Sequence, residues 1–446
     1  MTSRREFLTT AAAGAGLSVP LLATNPKTAK VSANDKIQIA LIGCGGMGQA
    51  DARSSTATGL TKIVAACDCY DGRLTHMKEV YGPLTFTTKH YQEILDRKDI
   101  DAVIIGTPDH WHSKISIAAM NAGKDVYCEK PMVQHIDDGA PVVDAYRAAN
   151  RIMQVGSQRV SSIIYRKAQE LFKSGAIGKL NMVEAWWDRN SATGAWEYTV
   201  PPDANTETCD WETFQGRAPK TDWDANRFFR WRCYRDYGTG VAGDLFVHLF
   251  SGLHFITGAI GPTRVFATGG LRFWNDGRDV PDLLIGLYDY PETAAHPAFN
   301  LVLRVNFESG AQESSGFRFT GSEGIMTVDN KVTLTNAPPE IEPGYTIGTF
   351  AASEQEAFIK AYRAKYPVKR DLKTAKEMVF NPPPKYSDHV DHHTNFALAV
   401  RSRKPVIEDP IFGFRAAGPA LLSNISYFEN RVVEWDPAAM KIKGES

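Results

Sequence analysis

Residues 37–48 read IQIALIGCGGMG, and this stretch decides the fold of the first part of the chain. Ile37 to Ile42 is a short, almost wholly apolar run, the pattern of a strand buried on both faces. It leads straight into Gly43-Cys44-Gly45-Gly46-Met47-Gly48, and from Met47 the chain can continue as a helix. The G-x-G-x-x-G spacing therefore has a strand before it and a helix after it. In that setting Gly43 allows a tight turn, Gly45 lets backbone approach a pyrophosphate, and Gly48 lets helix and strand pack closely. The helix N-terminus adds free N–H groups and a partial positive charge for phosphates. A second apolar run, Lys62 to Cys67, ends at Asp68, twenty residues past Gly48. A carboxylate there accepts hydrogen bonds from an adenosine ribose diol and repels a 2′-phosphate. Gly43, Gly45, Gly46, Met47, Gly48 and Asp68 thus read as an NAD site.

With 446 residues the chain has room for two or three domains and a sizeable core. Lys+Arg 50 against Asp+Glu 51 gives no global field, which argues against nucleic acid as a partner. The first 33 residues stand apart: Ser3-Arg4-Arg5-Glu6-Phe7-Leu8 is a twin-arginine motif, followed by an alanine-rich stretch, Ala11 to Ala23, and a cleavage-like Val31-Ser32-Ala33. They are expected to be an export signal, placing the mature protein in the periplasm or outside the cell. No other stretch approaches the roughly 20 apolar residues of a membrane span. Because that route carries folded proteins, the cofactor is expected to be loaded before export and held tightly. Cys44, Cys67, Cys69 and Cys128 read as small buried apolar residues, and pairing of Cys209 with Cys233 stays open.

From Lys36 to Gly156 strands at 37–42, 61–67, 101–106, 124–128 and 152–155 alternate with helices near 47–57, 71–80, 90–97, 112–122 and 137–150. Such alternation means a doubly wound parallel sheet, an α/β Rossmann fold with ligands at the carboxyl ends of its strands. The loops at those ends add Thr107, Pro108 and His112, then Glu129 and Lys130, as further cofactor contacts. Lys130, fixed between a buried strand and Pro131, is also placed to meet a substrate. Two histidines among Asp109-His110-Trp111-His112 lack the Cys or acidic cluster a metal needs, so no metal is expected. The domains divide as 34–157 for the nucleotide and 158–446 for substrate and assembly, the latter an α+β domain with a mostly antiparallel sheet. Its pattern gives a helix near 161–174, a strand at 179–188, a helix at 242–257, and strands at 262–270, 281–289, 298–306, 312–320 and 323–335. Residues 336–385 read as irregular apart from a helix near 352–365, and helices at 387–402 and 412–426 close the chain.

Residues 186–237 hold six of the 9 tryptophans, which suit either sugar faces or loop packing. Arg227, Arg230, Arg232 and Arg235 stand ready either for an acidic sugar or for salt bridges within the loop. Asp244 and His248 at i and i+4 share one helix face. Oxidising an alcohol needs a base for the hydroxyl proton, and histidine is poised for that near neutral pH. His389-Val-Asp-His392-His393 has metal-like spacing, but a solvated helix start is the simpler account.

GCGGMG, Asp68, TPDHWH, Cys128-Glu-Lys-Pro131, Gly156-Ser-Gln-Arg159 and Gly243-Asp244-x-x-x-His248 together resemble the Gfo/Idh/MocA family, the glucose–fructose oxidoreductase and inositol dehydrogenase relatives. Asp210 to Gly240 resembles its exported, twin-arginine branch. The resemblance implies a large open, mostly antiparallel sheet that mediates a homo-oligomer, dimer or tetramer. It implies an NAD(P)-dependent, NAD-preferring oxidoreductase acting on a sugar or polyol hydroxyl. Lys130 would donate to the substrate oxygen, His248 would be the base, and Asp244 would orient it. Arg159, Trp187 and Tyr237 are the candidate substrate contacts. Ser251 departs from the family pattern, which commonly has an acid there. The alternative is an NAD-dependent glycoside hydrolase working by transient oxidation, elimination, hydration and re-reduction.

Overall fold

The apolar runs of the first third become one six-stranded parallel sheet. In the computed structural model, which describes residues 35–337, 344–367 and 377–444, its strands are β1 (Ile37–Ile42), β2 (Thr61–Cys67), β3 (Phe86–Thr88), β4 (Ala102–Ile105), β5 (Asp125–Glu129) and β6 (Met153–Gly156). They lie in the order β3-β2-β1-β4-β5-β6. Helices α1 (Gly46–Ala57), α2 (Asp71–Tyr81), α3 (Tyr91–Leu95), α4 (Asp109–Asn121) and α5 (Gly139–Ala149) alternate with them. β4 and β5 are buried throughout, as a sheet covered on both faces requires. This is the Rossmann-type fold expected. The three-residue β3 is an addition, too short to announce itself.

The second part begins with α6 (Ile163–Lys173), β7 (Leu180–Asp188), α7 (Trp211–Gln215) and α8 (Ala225–Phe229). A π-turn over Ala242–Phe246 then runs into α9 (Val247–Thr257), so the helix expected over 242–257 has a widened first turn. β8 (Arg264–Gly270), β9 (Leu283–Tyr290), β10 (Phe299–Asn306), β11 (Ser314–Gly321), β12 (Gly324–Val328) and β13 (Val332–Asn336) follow. The single strand expected at 323–335 is two strands, folded back at Asp329. After α10 (Ala352–Lys365) come β14 (Glu377–Phe380), α11 (Asp388–Ser402), α12 (Pro410–Glu429), β15 (Val433–Asp436) and β16 (Lys441–Ile442). β14 lies within the stretch read as irregular. Ten strands form one sheet, β14-β13-β12-β11-β7-β10-β9-β8-β15-β16, in which β7 and β10 are the parallel pair.

Alternation along β10 buries Leu301, Leu303 and Val305 against the helical layer and leaves Asn300 and Arg304 outside. α6, α9 and α12 pack on that inner face. α11 returns to the first sheet: His393 Nε2 meets Asp51 of α1 at 3.2 Å, and Arg403 grips Asp125 of β5 through both its terminal nitrogens at 2.6 and 2.9 Å. The described residues from Ile37 onward form one compact unit. No helix among the described residues is long and apolar enough to cross a membrane. All six cysteines are free, so Cys209 and Cys233 do not pair. The expected export signal lies outside the described residues.

Candidate active site

The glycine loop is built as its spacing requires. Gly43 has φ +91°, and a side chain there would run into the backbone of Gly106 at 2.5 Å. A methyl on Gly48 would overlap the Gly43 carbonyl oxygen, so both glycines are needed for backbone packing. A methyl on Gly46 would meet nothing within 4 Å, because the loop faces open space there. That space is an open pocket lined by Gly43, Gly45, Gly46, Met47, Asp68, Thr107 and Pro108. No side chain caps α1, so its first N–H groups are left for a ligand. Thr107 Oγ1 is buried without a protein partner at the same cavity. These features fit a dinucleotide.

Asp68 lines the same cavity and is engaged by groups of the protein itself. Its carboxylate accepts the N–H groups of Cys44 at 2.7 Å and Tyr70 at 2.9 Å, which fixes the glycine loop. Arg73 approaches it at 3.5 Å from within the cavity wall.

Three expected cofactor contacts have other tasks. Gly48 packs α1 on β1. His112 is buried, with Nδ1 2.7 Å from the Pro131 carbonyl and Nε2 2.9 Å from the Thr107 carbonyl, so one imidazole ties the two functional loops together. Burial lowers its pKa to about 4, and the neutral ring donates to one of those carbonyls. Glu129 is buried and does not line the cavity. It takes a hydrogen bond from Gln158 at 2.6 Å, and burial followed by the Asp51 charge raises its pKa well above the carboxylate range.

Lys130 and Asp244 meet. Lys130 Nζ donates to Asp244 Oδ1 and to the Asp244 carbonyl, each at 2.7 Å, and Arg232 Nε reaches Oδ1 at 3.2 Å. Burial alone would raise the Asp244 pKa, but the charges of Lys130 and Arg232 outweigh it and hold the group well below the usual range. The expected Asp244–His248 hydrogen bond is not formed. The π-turn changes the spacing, and two cations outcompete a neutral imidazole for the carboxylate. His248 is instead placed by the Trp187 ring, 5.1 Å between centroids, and its Nδ1 is buried without a partner. Burial first, then Lys130 and Arg159, lowers its pKa well below 6.5, leaving a neutral imidazole.

Arg232 walls the dinucleotide cavity, while Trp187 walls a second, polar cleft with Arg159, Asp188, Arg189, Tyr198, Glu313 and Ser315. Tyr198 borders both. Lys130, Asp244 and His248 line neither space themselves; Arg232 joins Asp244 to the wall of the first, and Trp187 joins His248 to the wall of the second. Tyr237 lines neither. It is 0% exposed, its ring 5.3 Å from His110 and 5.2 Å from Phe214, so it packs the loop. Most of the tryptophan-rich stretch does the same: Trp211 stacks on Phe214 and meets Trp223 edge-on, and Trp196 is buried on Phe307. Arg227, Arg230 and Arg232 pair with Asp236, Glu197 and Asp244, and Arg235 lies over Phe428. Ser251 is buried on Ser157 and Glu408, each at 3.1 Å. His392 and His393 bond Val155 and Asp51, and no metal-type cluster exists among the described residues. Arg189 and Tyr198 were not singled out from the sequence. Arg189 follows β7 directly, and a carboxyl-end position was the signal available.

Residues 37–157 match the family model for the Gfo/Idh/MocA oxidoreductases, NAD-binding Rossmann fold. Over those residues the chain is similar to this NAD-binding family. Inositol 2-dehydrogenase of Salmonella typhimurium strain LT2 is 29% identical over 168 residues, 37% of this chain and 49% of the relative. Inositol 2-dehydrogenase 3 of Saccharopolyspora erythraea is 32% identical over 145 residues, 32% of this chain and 42% of the relative. The chain thus spans about half, or less, of the length of the curated relatives it matches. In fold it is similar to a levoglucosan dehydrogenase solved with NADH and levoglucosan, with a TM-score of 0.64 at 17% identity, covering 90% of this chain and 99% of the other. An NAD-binding oxidoreductase from Klebsiella pneumoniae gives 0.62 at 18%, covering 90% and 99%.

Proposed function

We propose that the protein is an NAD-dependent oxidoreductase of a sugar or polyol hydroxyl, as a dehydrogenase or in transfer between two sugars. The observation that carries this is the charged Lys130–Asp244–Arg232 cluster and a neutral His248, with Arg232 in the wall of a dinucleotide cavity and Trp187, whose ring lies against His248, in the wall of a polar cleft. Gly43, Gly45, Gly46, Met47, Asp68, Thr107 and Pro108 would hold the cofactor. When bound, the nicotinamide supplies the hydride acceptor. Lys130, steadied by Asp244, turns its remaining N–H toward the substrate oxygen and stabilises alkoxide character. His248 takes the hydroxyl proton, for which its neutral form is ready. Asp68 favours NAD over NADP by its charge, which also offsets Arg73.

The relatives' printed names are those of dehydrogenases, and no feature of the described residues favours glycoside hydrolysis. The test uses purified full-length protein: measure co-purifying NAD(H), then offer free sugars, polyols and aryl glycosides separately. Reduction of NAD by a free sugar or polyol is expected. Aglycone release with no net change in the NADH band would overturn the reading in favour of the hydrolase. Lys130→Ala and His248→Ala are expected to lower kcat by about 10²–10⁴ with NAD still bound; wild-type rates in both would end the assignment.

Export by the twin-arginine route, tight cofactor retention and a homo-oligomer formed through the open sheet belong to the same proposal. Arg4→Lys with Arg5→Lys should leave the protein in the cytoplasm on fractionation, and light scattering should give a dimer or tetramer.

A further inference from the structure

Two guanidinium groups in the polar cleft have no carboxylate within ion-pair distance among the described residues, although the charge of Arg189 is felt at Asp244. Arg159 donates to Ser315 Oγ at 3.0 Å and lies 4.4 Å over the Trp187 ring. Arg189 donates to the Gly194 carbonyl at 2.7 Å and lies over Phe307. Both are half-buried, and neither forms an ion pair among the described residues. Arg227, Arg230 and Arg232 nearby each have a carboxylate. The acidic walls of the cleft do not supply the missing charge. Asp188 is taken by Arg304 at 2.7 Å, and Glu313 stands at the exposed rim, accepting from Ser191.

A cation partly withdrawn from water without a partner is costly, and a ligand anion removes that cost. Guanidinium forks match carboxylates in shape as well as charge. The ring under Arg159 is the one that places His248, so the anion site lies one aromatic ring from the proposed base.

We infer that the substrate is an acidic sugar, a uronate or aldonate whose carboxylate is held by Arg159 and Arg189 while one of its hydroxyls reaches Lys130 and His248. This rests on the oxidoreductase reading. The carboxylate itself is unchanged. At the reacting carbon the C–H bond breaks with its hydride passing to bound NAD, the hydroxyl proton passes to His248, and the C–O bond becomes a carbonyl.

The test compares D-glucuronate, D-galacturonate and D-gluconate with D-glucose, D-galactose and myo-inositol, using the NAD-loaded full-length protein. At least one acid should exceed its neutral counterpart about tenfold in kcat/KM, about 1.4 kcal/mol. Arg159→Met and Arg189→Met should collapse that ratio mainly through KM, and Arg159→Lys should restore part of it. Thermal melts and NAD retention check that the variants fold. Equal or better use of neutral sugars, or an acid-to-neutral ratio the variants leave unchanged, overturns the inference while the oxidoreductase reading stands. Calorimetry separates the opposite case: acids bound without hydride transfer uphold the anion site and overturn the oxidoreductase reading. Acids neither bound nor oxidised overturn the inference.

Discussion

At Asp68 one carboxylate serves two ends. It accepts from Cys44 and Tyr70 to set the glycine loop, and it faces Arg73 across the cavity wall. Asp68→Ala should therefore weaken NAD binding more than the loss of ribose contacts alone would. It should also move preference toward NADP, because Arg73 is left as the uncompensated charge. Titrations with both cofactors check this; unchanged NAD retention would refute the role. His248 leads to a second expectation. Its folded pKa lies below 6.5, so the base stays unprotonated as pH falls through the usual histidine range. The acid limb of kcat/KM should fall below pH 6.5, visible in a profile from about pH 4 to 9.

Among the elements, α4 shows how burial couples to pH. Asp109 at its start accepts the N–H and hydroxyl of Thr239, at 3.0 and 2.7 Å, and burial raises its pKa to about 7. Between about pH 4 and 7 the folded form holds this proton more tightly than the unfolded chain, so its contribution to stability falls as pH rises. Asp109→Asn lacks that dependence. Denaturation at pH 4, 5.5 and 7 should show wild type losing stability relative to the variant, by up to about 1.4 kcal/mol per unit. The strands at 37–42, 61–67 and 152–155 were legible because burial on both faces writes itself as an apolar run. β3, β14, β15 and β16 were not, since two to four residues at a sheet margin carry no period. Lys130, Asp244 and His248 were singled out from their loop and helix positions. Their true pairing was not, because a π-turn leaves no mark in i, i+4 spacing. That Arg159 and Arg189 form no ion pair among the described residues, unlike Arg227 and Arg230, depends on contacts between distant segments.

In the whole molecule, the two sheets are joined by the chain's return. Asp125 is buried, and Arg403 engages both its oxygens while Ile152 N–H donates to Oδ1 at 2.8 Å. Arg403→Ala should cost about 2 kcal/mol, with one cooperative transition retained, as measured by urea titration. The same return sets a clock on biogenesis. Helix α1, whose first turn faces the dinucleotide cavity, is backed by α11 through Asp51 and His393. The ribosome makes α11 only after some 330 further residues, about half a minute at ordinary rates of synthesis. Until then the α1 of a nascent chain packs on β1, β2 and β4 and lacks only its α11 backing.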